Sequence, residues 1–577
     1  MAAAVSNEDI AAAFEEMADL LDIAGDNPFK IRAYRNAART LRNLPREAAD
    51  LLQAGEDLTR LPGIGKELAA KIRELVETGQ LGALQRLHRR VPETLEQLLQ
   101  IPGLGPRRVA TLWHALGIRD LRQLERAARA GRLDGLPGFG PKTVQRILDA
   151  IREQRIKDRR FLRHDAARHA EDLCRWLQGA EGVERVVVAG SFRRGRDTVG
   201  DLDILVTVRD GTDVMDRFTR WPRVAEVASR GITRSTVYLR NGLQVDLRVV
   251  APEQFGAALA YFTGSRAHSI RLRRMAQERG LKINEYGVFR DGENLADERE
   301  ESVYASLGLP WIPPELRENR GEFEAAREGR LPRLVTRADL RGDLHCHTGA
   351  SDGHGSLREM AEAARAAGLE YLAITDHSPH IGVVHGLDED RLLRQLDEID
   401  RLNDELEGIT LLKGMEVDIL EDGRLDMPAA VLERLEVVIG AVHSHFHLGR
   451  TRQTARLLRA LEHPQLNLIA HPSARLIQRR DPIDLDWPRF LEAVAARGCL
   501  LELNSQPLRL DLDDLHARQA KELGIGIAID SDAHGPADFA LLGEGVLQAR
   551  RGWLEPADVV NTLPLDRLRK RLRQARG

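Results

Sequence analysis

Apolar residues along the first 155 positions recur at intervals of three and four, which predicts helices. The segments IAAAFEEMADLLDI and LAAKIRELVETG show this spacing clearly, and it places their apolar side chains on one face of a helix. Between positions 184 and 250 the pattern changes to short β-branched runs, ERVVVAG, DLDILVTV and LQVDLRVV, bounded by glycine and charged residues. Such runs predict strands. The chain therefore begins with helical domains and continues into an α+β domain.

Seven short apolar runs follow one another after position 340. They are GDLHCH, EYLAITDH, TLLKGMEVD, EVVIGAVHSH, LNLIAHP, CLLELNS and IGIAIDSDAH, and helical segments such as SLREMAEAARAAG separate them. Strands that alternate with helices form a parallel sheet, and seven such units predict a barrel. The stretch before the barrel, residues 317–340, is polar without a clear core face, and we predict that it is a linker.

Composition restricts the class of protein. The chain has 577 residues, 42% hydrophobic and 30% charged, which is typical of a soluble protein too long for a single core. We expect neither a membrane span nor a signal peptide. The three cysteines, Cys174, Cys346 and Cys499, form no CxxC pair, which favours the reducing cytoplasm. Residues 101–160 hold 14 Lys and Arg against 6 Asp and Glu, a surplus that favours a polyanionic partner.

A repeated glycine hairpin gives that partner a binding mode. The copies are LPGIGKELAAKI (61–72), IPGLGPRRVATL (101–112) and LPGFGPKTVQRI (136–147). The glycines permit a tight turn and close backbone approach, and the following helix presents its N–H groups and positive dipole end to a phosphate. The alternative is a set of purely structural turns. The copies resemble the helix-hairpin-helix motifs of DNA repair enzymes. We expect the first two to be better DNA-binding candidates than the third, with contacts at Gly63, Gly65, Gly103 and Gly105.

Three carboxylates mark a second candidate site. Asp201 and Asp203 are two residues apart on one predicted strand, so both point to the same face. Asp246, in the run LQVDLRVV, can join them from a neighbouring strand. Three carboxylates on one face repel each other unless cations neutralise them, and hard oxygen ligands suit Mg²⁺. The alternative is a solvated strand edge, but the adjacent GSFRRG segment, with a turn at Gly190 and two arginines, favours a triphosphate site.

Histidines and acids recur at the ends of the apolar runs in the C-terminal half. In a parallel barrel the strand ends meet at one rim, where active sites form, so ligands scattered along the sequence can converge. In DLHCHTGASDG the strand alternation points His345 and His347 to the rim together and Cys346 away from it. Imidazole and carboxylate ligands suit Mn²⁺, Zn²⁺ or Fe²⁺. We predict an open hydrolytic metal site rather than a closed zinc site that uses the thiol.

The segments GSFRRG, GDLDIL, YFTGSRAHSIRLR and GLKINEYGVF resemble the polymerase core of family X DNA polymerases over the first ~316 residues. The resemblance implies that Asp201, Asp203 and Asp246 bind two Mg²⁺ ions, with Asp246 as the general base on the primer 3′-hydroxyl. It also implies that the incoming triphosphate is contacted by Gly190, Ser191 and Arg194. Its sugar would lie near Tyr261, Phe262 and Gly264, and the template near Arg273. Relatives often place Asn against the incoming base where this chain has Ser269.

The segment NPFKIRAYRNAARTL and the first hairpin resemble the small lyase domain of the same family. The resemblance implies that Lys71 is a Schiff-base nucleophile for 5′-deoxyribose phosphate, with Lys30, Tyr34 and Arg35 near the 5′-phosphate. This chemistry needs a lysine whose pKa is lowered by cationic neighbours or burial. Lys66 and Arg73 are the neighbours expected to help. The alternative is a lysine on a solvated helix face.

Residues ~340–577 resemble the PHP (polymerase and histidinol phosphatase) family, which implies a distorted seven-stranded barrel and a site of three metal ions. The resemblance assigns His345, His347, Glu416 and Asp532 to one ion. It assigns the shared Glu416 with His443 and His471 to a second, and Asp352, His377 and His534 to a third. Each position holds a capable ligand, so we expect an active phosphoesterase.

The expected architecture is a multidomain α+β and α/β protein. Its predicted parts are a lyase-like DNA-binding domain (1–88), helix-hairpin-helix fingers (89–155), a nucleotidyltransferase palm (156–250), a thumb (251–316), the linker (317–340) and the PHP barrel (341–577). We expect a monomeric cytoplasmic, nucleoid-associated repair polymerase that fills gaps from dNTPs and processes 3′ ends. Two alternatives remain, a DNA-binding scaffold with idle sites and a small-molecule phosphatase of the histidinol-phosphatase type.

Overall fold

The helices expected in the first part of the chain are confirmed by the computed structural model, which describes residues 7–576 except 43, 45–46, 89, 93, 100, 102 and 210–212. Residues 1–159 form one unit and residues 160–577 another. The described helices of the first unit are α1 (Asn7–Ile23), α2 (Pro28–Arg42), α3 (Ala48–Gln53), α4 (Lys66–Thr78), α5 (Gly82–His88), α6 (Thr94–Leu99), α7 (Pro106–Leu116), α8 (Leu121–Arg129) and α9 (Pro141–Asp158).

The first unit has its own core, in which α1 packs against α2, α5 and α7. Phe14 of α1 meets Tyr34 of α2 edge to face, with ring centroids 5.4 Å apart. Such an edge-to-face pair of buried rings stabilises the contact between α1 and α2 beyond the effect of the area that they bury. The predicted apolar faces of these two helices therefore form one continuous core.

The second unit begins with a mixed sheet in the strand order β2-β4-β7-β6-β5, in which β4 and β7 run parallel and the other neighbours antiparallel. Helices α10 and α12 pack on it. Its elements are β1 (Phe161–Leu162), α10 (Arg163–Gln178), β2 (Val183–Val188), α11 (Gly190–Arg193), β3 (Thr198–Val199), β4 (Asp201–Val208), α12 (Val214–Thr219), β5 (Val224–Arg230), β6 (Arg234–Leu239) and β7 (Gln244–Val249).

The predicted thumb combines helices with a small antiparallel sheet of order β10-β9-β8. Its helix α13 is buried on nearly all sides and packs against β4 and α11 of the palm. The elements are α13 (Phe255–Thr263), α14 (Arg266–Gln277), β8 (Lys282–Asn284), β9 (Gly287–Arg290), β10 (Glu293–Asn294) and α15 (Glu300–Ala305).

The segment 317–340 is packed into the second unit, in contrast to the linker predicted from its polar sequence. It contains α16 (Glu322–Arg327), and Phe323 and Val335 are fully buried. Its buried polar residues are paired: Arg317 Nη1 donates to Glu300, and Glu322 Oε1 lies 2.8 Å from His268 Nδ1. A buried charge is tolerated when it has such a partner, so polarity alone concealed a core-facing segment.

The predicted barrel is confirmed as seven parallel strands in sequence order, β11 to β17. A bridge between Cys346 and Ala533 brings its first and last strands together and nearly closes it. The elements are β11 (Gly342–Asp343), α17 (Leu357–Ala366), β12 (Tyr371–Ile374), α18 (Glu389–Glu405), β13 (Thr410–Asp418), α19 (Ala429–Leu432), β14 (Val437–Ala441), α20 (Arg450–Leu461), β15 (Leu468–Ile469), α21 (Trp487–Arg497), β16 (Leu500–Asn504), α22 (Asp514–Glu522), β17 (Ile527–Asp530), α23 (Leu542–Arg551) and α24 (Leu565–Gln574).

The part of the chain that the structure describes contains no helix with the length and hydropathy of a membrane span. Its cysteines are all free thiols, and those of Cys346 and Cys499 are buried.

Candidate active sites

The palm sheet brings the three predicted carboxylates to one face. Asp203 on β4 and Asp246 on β7 are direct partners across the parallel pair, and Asp201 lies two residues before Asp203 on the same strand. Residues opposite each other in a sheet, and residues two apart in a strand, share a face. The sequence expectation that Asp246 joins the pair from a neighbouring strand therefore agrees with the register.

Charge repulsion and burial act together on these carboxylates. Burial raises the pKa of Asp203 to about 7, with further contributions from the charges of Asp201 and Asp246. Burial and Asp246 also raise the pKa of Asp201. Asp246 is fixed by its neighbours, because Gln244 Nε2 donates to it at 2.8 Å and the Thr236 hydroxyl donates to its other oxygen. A set of oxygen ligands that is costly to ionise without cations fits divalent metal ions.

The turn after β2 lies directly against these carboxylates. Gly190 has a φ of +62°, and a Cβ atom at this position would overlap the carboxylate of Asp203. Ser191 follows in the first turn of α11. Arg194, at the end of α11, donates from Nη1 to the Thr263 carbonyl oxygen at 2.8 Å and from Nε to Glu318 Oε1 at 3.1 Å. The predicted triphosphate turn is thereby joined to the thumb.

The predicted sugar-contacting residues form the end of α13. Tyr261 and Phe262 lie edge to face with centroids 5.1 Å apart, and the Arg248 guanidinium stacks 4.2 Å from the Phe262 ring. Gly264 ends the helix, and a Cβ there would come within 3.0 Å of Ser269 Oγ. Arg273 lies exposed on α14. Arg193 differs from its neighbour Arg194, since both of its terminal nitrogens pair with Glu300 at 2.8 Å, which makes it a structural residue.

The barrel rim gathers the second set of predicted ligands around Glu416. One oxygen of this carboxylate lies 3.1 Å from His471 Nε2 and 3.3 Å from His443 Nε2. The other lies 2.9 Å from His377 Nδ1 and 3.4 Å from His345 Nε2. Residues from separate strands thus meet at a single buried acid, as the barrel prediction required.

The remaining ligands complete the cluster. His347 Nε2 lies 3.2 Å from Asp532 Oδ1, and Asp352 Oδ2 lies 3.5 Å from His377 Nε2 and 3.4 Å from His534 Nε2. Ligand atoms fall within 4.8 Å of one another in groups that could hold a metal ion: His347, Asp352, His377 and His534; His345, His347 and Asp532; and His377, Glu416 and His443. These groups differ from the family assignment, because His347 and His377 are each shared between two groups, Glu416 belongs to one group only and His471 to none.

The electrostatics of the rim fit cations. Burial would raise the pKa of Glu416, but His443, His345 and His377 hold it well below its usual value. Burial also opposes protonation of His377, yet Glu416 and Asp352 raise its pKa to about 10. Acids that are kept ionised inside a ring of imidazoles are the donor set expected of a multi-metal site.

Several residues that the sequence did not single out hold the ligands in place. Glu502 Oε1 lies 2.6 Å from His345 Nδ1, and its other oxygen accepts from the His471 backbone N–H. Asp418 Oδ1 lies 2.7 Å from His443 Nδ1. Such carboxylate partners fix the orientation of a ligating imidazole. A signal was present for Asp418, which lies two residues after Glu416 and so on the same face of β13, and for Glu502, an acid inside an apolar run.

Two further side chains contact Asp532 at the rim. Asn504 Nδ2 donates to Asp532 Oδ2 at 3.0 Å, and Arg509 Nε lies 3.7 Å from the same oxygen. Arg509 adds a positive charge beside the ligands. Cys346, in contrast, is packed in the barrel core with Sγ 3.3 Å from the Ala373 carbonyl oxygen. The expectation that it points away from the ligands is confirmed.

The glycine hairpins of the first unit share one geometry. Gly63, Gly103 and Gly138 have φ values of 77°, 90° and 88°, and Gly65 and Gly105 precede the first turns of α4 and α7. A left-handed glycine followed by a helix N-terminus is a suitable cradle for a backbone phosphate. Arg108 contacts both the second and the third hairpin, since its Nη1 donates to the Gly103 carbonyl oxygen and its Nε lies 3.1 Å from where a Gly138 Cβ would be.

The environment of Lys71 differs from the expected one. Its ammonium is half-buried, forms an ion pair with Glu67, and lies 5.5 Å from the centre of the Tyr34 ring. Burial lowers the pKa of Lys71, but its interactions with Glu67 and Tyr34 together outweigh this and the pKa is raised. The expected lowering by Lys66 and Arg73 is therefore wrong for this state of the protein, because a carboxylate one helical turn away dominates.

The three residues predicted to lie near a 5′-phosphate are all on α2, and two of them pair with acids. Lys30 lies 3.9 Å from Asp26, and Arg35 pairs with Asp19 at 3.0 Å and with Asp22 at 3.2 Å. Tyr34 is buried in the core between α1 and α2. A phosphate at this site would compete with acids for Arg35.

Family descriptions match consecutive parts of the chain. They are Helix-hairpin-helix domain (5–81), SAM-like Helix-hairpin-helix tandem (95–153), DNA polymerase beta palm (160–250), DNA polymerase beta thumb (258–318) and PHP domain (343–506). The matched segments lie in the helical first unit, the palm, the thumb and the barrel, and the PHP match ends before β17.

Three similar proteins cover different shares of this chain. The DNA polymerase/3′-5′ exonuclease PolX of Bacillus subtilis is 38% identical over 97% of this chain and 98% of its own length. DNA polymerase lambda of Rattus norvegicus is 27% identical over 53% of this chain and 55% of its own. A probable phosphatase of Thermoanaerobacter sp. (strain X514) is 30% identical over 38% of this chain and 89% of its own.

Proposed function

Because this chain belongs to the family X DNA polymerases that carry a C-terminal PHP domain, we propose that it fills short gaps in DNA and processes 3′ ends. The palm would add template-directed dNTPs to a 3′-hydroxyl. The barrel would act as a 3′→5′ exonuclease, with 3′-phosphatase or abasic-site endonuclease activity as related reactions of the same site. A nearby nuclease suits a polymerase that needs a clean 3′-hydroxyl.

The direct pairing of Asp203 with Asp246, with Asp201 on the same face, carries the polymerase proposal. These residues would hold two Mg²⁺ ions, which when bound supply activation of the attacking oxygen and stabilisation of the leaving one. Asp246 would take the proton of the primer 3′-hydroxyl. Its fixed position, held by Gln244 and Thr236, suits a base that must reach a single oxygen.

The nucleotide would be held by the residues around the Gly190 turn. Gly190 places the turn directly against Asp203, Ser191 offers its hydroxyl, and Arg194 offers charge. Tyr261, Phe262 and Gly264 would lie near the sugar, and Arg273 near the template. Ser269 is shorter than the Asn that relatives often place against the incoming base, so we propose weaker selection at that contact.

The buried ligand cluster at the barrel rim supports the nuclease proposal. We propose three ions there, Mn²⁺, Zn²⁺ or Fe²⁺, which when bound would activate water and polarise a phosphodiester. Glu502 and Asp418 would orient His345 and His443 toward them. The Arg509 guanidinium would attract the substrate phosphate to the rim, because its permanent positive charge lies 3.7 Å from Asp532.

The first unit would hold the DNA through its backbone. Gly63, Gly65, Gly103 and Gly105 would contact phosphates without reading base sequence. Lys30, Tyr34 and Arg35 would lie near a 5′-phosphate. Lys71 would serve as the lyase nucleophile only if bound DNA separates it from Glu67, since that ion pair keeps the amine protonated. We propose a monomer acting on gapped DNA of the cytoplasmic nucleoid.

The proposed functions are tested on one gapped duplex with labelled 5′ and 3′ ends, supplied with each dNTP and with Mg²⁺ or Mn²⁺. We expect extension by the dNTP complementary to the template in the gap, and shortening from the 3′ end without dNTPs. A DNA-binding scaffold would show neither reaction. A small-molecule phosphatase would hydrolyse histidinol phosphate and leave the duplex ends unchanged, and that result would overturn the proposal.

A further inference from the structure

A helix of the C-terminal barrel lies against the nucleotide turn of the palm. Helix α23 places Leu547 so close to Gly195 that a Cβ atom at Gly195 would come within 2.5 Å of it. One turn earlier, Glu544 lies 3.3 Å from both Arg163 and His164 of the palm. The barrel helix therefore borders the segment that follows Arg194 in the sequence.

The last residue of this helix reaches Arg194 itself. Arg551 has 4% of its surface exposed, and its Nη1 donates to the Arg194 carbonyl oxygen at 2.9 Å. The same Nη1 lies 3.2 Å from Glu318 Oε1, while Nη2 donates to Asp514 Oδ2 at 2.6 Å. The guanidinium thus joins the palm, the end of the thumb and the barrel.

Glu318 is shared by two arginines. Its Oε1 accepts from Arg194 Nε at 3.1 Å and from Arg551 Nη1 at 3.2 Å. An incoming triphosphate must compete with Glu318 for the Arg194 guanidinium. Arg551 weakens that competitor, because it shares the same carboxylate oxygen and partly neutralises its charge. Without Arg551, the half-buried Glu318 would have Arg194 as its main cationic partner and would hold it more strongly.

We propose that Arg551 is a positioning residue of the polymerase site: it fixes the turn that carries Arg194 and shares Glu318, so that Arg194 is available to the triphosphate of the incoming nucleotide. Through Arg551 the barrel contributes to nucleotide binding independently of its own metal cluster. This inference rests on the proposed role of Arg194 in triphosphate binding.

The test is steady-state gap filling by the full-length Arg551→Met variant. We expect the KM for dNTP to rise about tenfold, since coupling through side-chain networks corresponds to changes of ~2- to 30-fold. We expect kcat to change less than about twofold. The 3′→5′ degradation of single-stranded DNA should be unchanged. Adding Glu318→Gln to this variant removes the competing charge, and we expect it to lower the KM for dNTP part of the way back to the wild-type value.

Two neighbouring substitutions control for packing. Arg550→Met removes an arginine of the same helix that pairs with Glu315 of the thumb at 2.7 Å, and it should leave the KM for dNTP within about twofold of wild type. Arg551→Lys keeps the charge but loses the planar fork, and it should give an intermediate KM. It also tests the proposal if the methionine variant fails to fold.

The results separate the inference from the function on which it rests. An Arg194→Met variant with an unchanged KM for dNTP would refute the proposed triphosphate contact. A raised KM in Arg194→Met, together with an unchanged KM in both Arg551 variants, would overturn the positioning role alone. Equal effects of Arg550→Met and Arg551→Met would also overturn it, because they would reflect general weakening of the barrel contact.

Discussion

Gly190 lies against the carboxylate of Asp203 so closely that a Cβ atom at position 190 would overlap Asp203 Oδ2. Its φ of +62° independently favours glycine. The turn that would receive a triphosphate and the strand that carries a predicted metal ligand are therefore in direct contact. A side chain at this position must displace one or the other.

We predict that Gly190→Ala reduces gap filling by at least about 100-fold, since displacements of about 1 Å at reacting groups have effects of this size. Gly280→Ala is the matched control, because Gly280 also has a positive φ, +69°, but open space where the methyl would be. It should lose some stability and little activity. Equal activity of the two variants in a primer-extension assay would contradict the proposed contact.

The pKa of Asp203 gives a pH prediction. Because burial and the neighbouring carboxylates raise it from 3.8 to about 7, the metal-free folded protein keeps a proton that the unfolded chain has released. The carboxyl therefore destabilises the folded state increasingly as pH rises from about 4 through about 7. At about pH 8 in EDTA, the free energy of unfolding of Asp203→Asn should exceed that of wild type by at most about 4 kcal/mol, and the variant should unfold at a higher temperature. This difference should shrink toward about pH 5. A wild-type protein as stable as the variant at the higher pH would contradict this environment.

Glu502→Gln should weaken metal binding at the barrel rim. This substitution removes the charge that orients His345, while the hydrogen bond from the His471 N–H can remain. Loss of such a partner typically lowers metal affinity about 10- to 100-fold. Metal content after dialysis and Mn²⁺ titration of nuclease activity measure the effect. The control Glu436→Gln changes a carboxylate that pairs with Arg569 just before β14, and it should retain metal as wild type does.

Cys346→Ala should retain the nuclease and its metal. The thiol lies in the barrel core, where burial raises its pKa well above its usual value, and a buried neutral thiol is a poor metal ligand. We expect a modest loss of thermal stability from the smaller side chain. Loss of bound metal from this variant, measured by elemental analysis, would show that the thiol is a ligand after all.

Much of the fold follows from sequence pattern. The seven apolar runs form seven strands in the same order. Most runs end in polar residues, and the parallel arrangement of the strands brings these residues to one rim. Asp201 and Asp203 could be placed on one face from their spacing. The sequence suggested that β4 and β7 are neighbours. The direct pairing of Asp246 with Asp203 also depends on the register of the two strands, which the sequence did not fix.

The remaining features depend on contacts between distant positions. Arg317 and Glu322 are polar in sequence, but they are buried because Glu300 and His268 lie opposite them. Lys71 appeared to have cationic neighbours, yet Glu67, four residues earlier on α4, is the group that it meets. Arg551 gave no sequence signal at all, since its partners lie more than 30 residues away along the chain. Residue spacing predicts which side chains share a face of a helix or strand. Tertiary packing decides which charged groups those side chains contact.

The central claim is that one chain holds two independent active sites, and reciprocal variants on the same gapped duplex test it most directly. We predict that Asp201→Ala with Asp203→Ala abolishes gap filling and retains Mn²⁺-dependent 3′→5′ degradation. We predict the reverse for His345→Ala with His347→Ala. Normal extension by the first double variant, or undiminished degradation by the second, would contradict the assignment of polymerase and nuclease to these two sites.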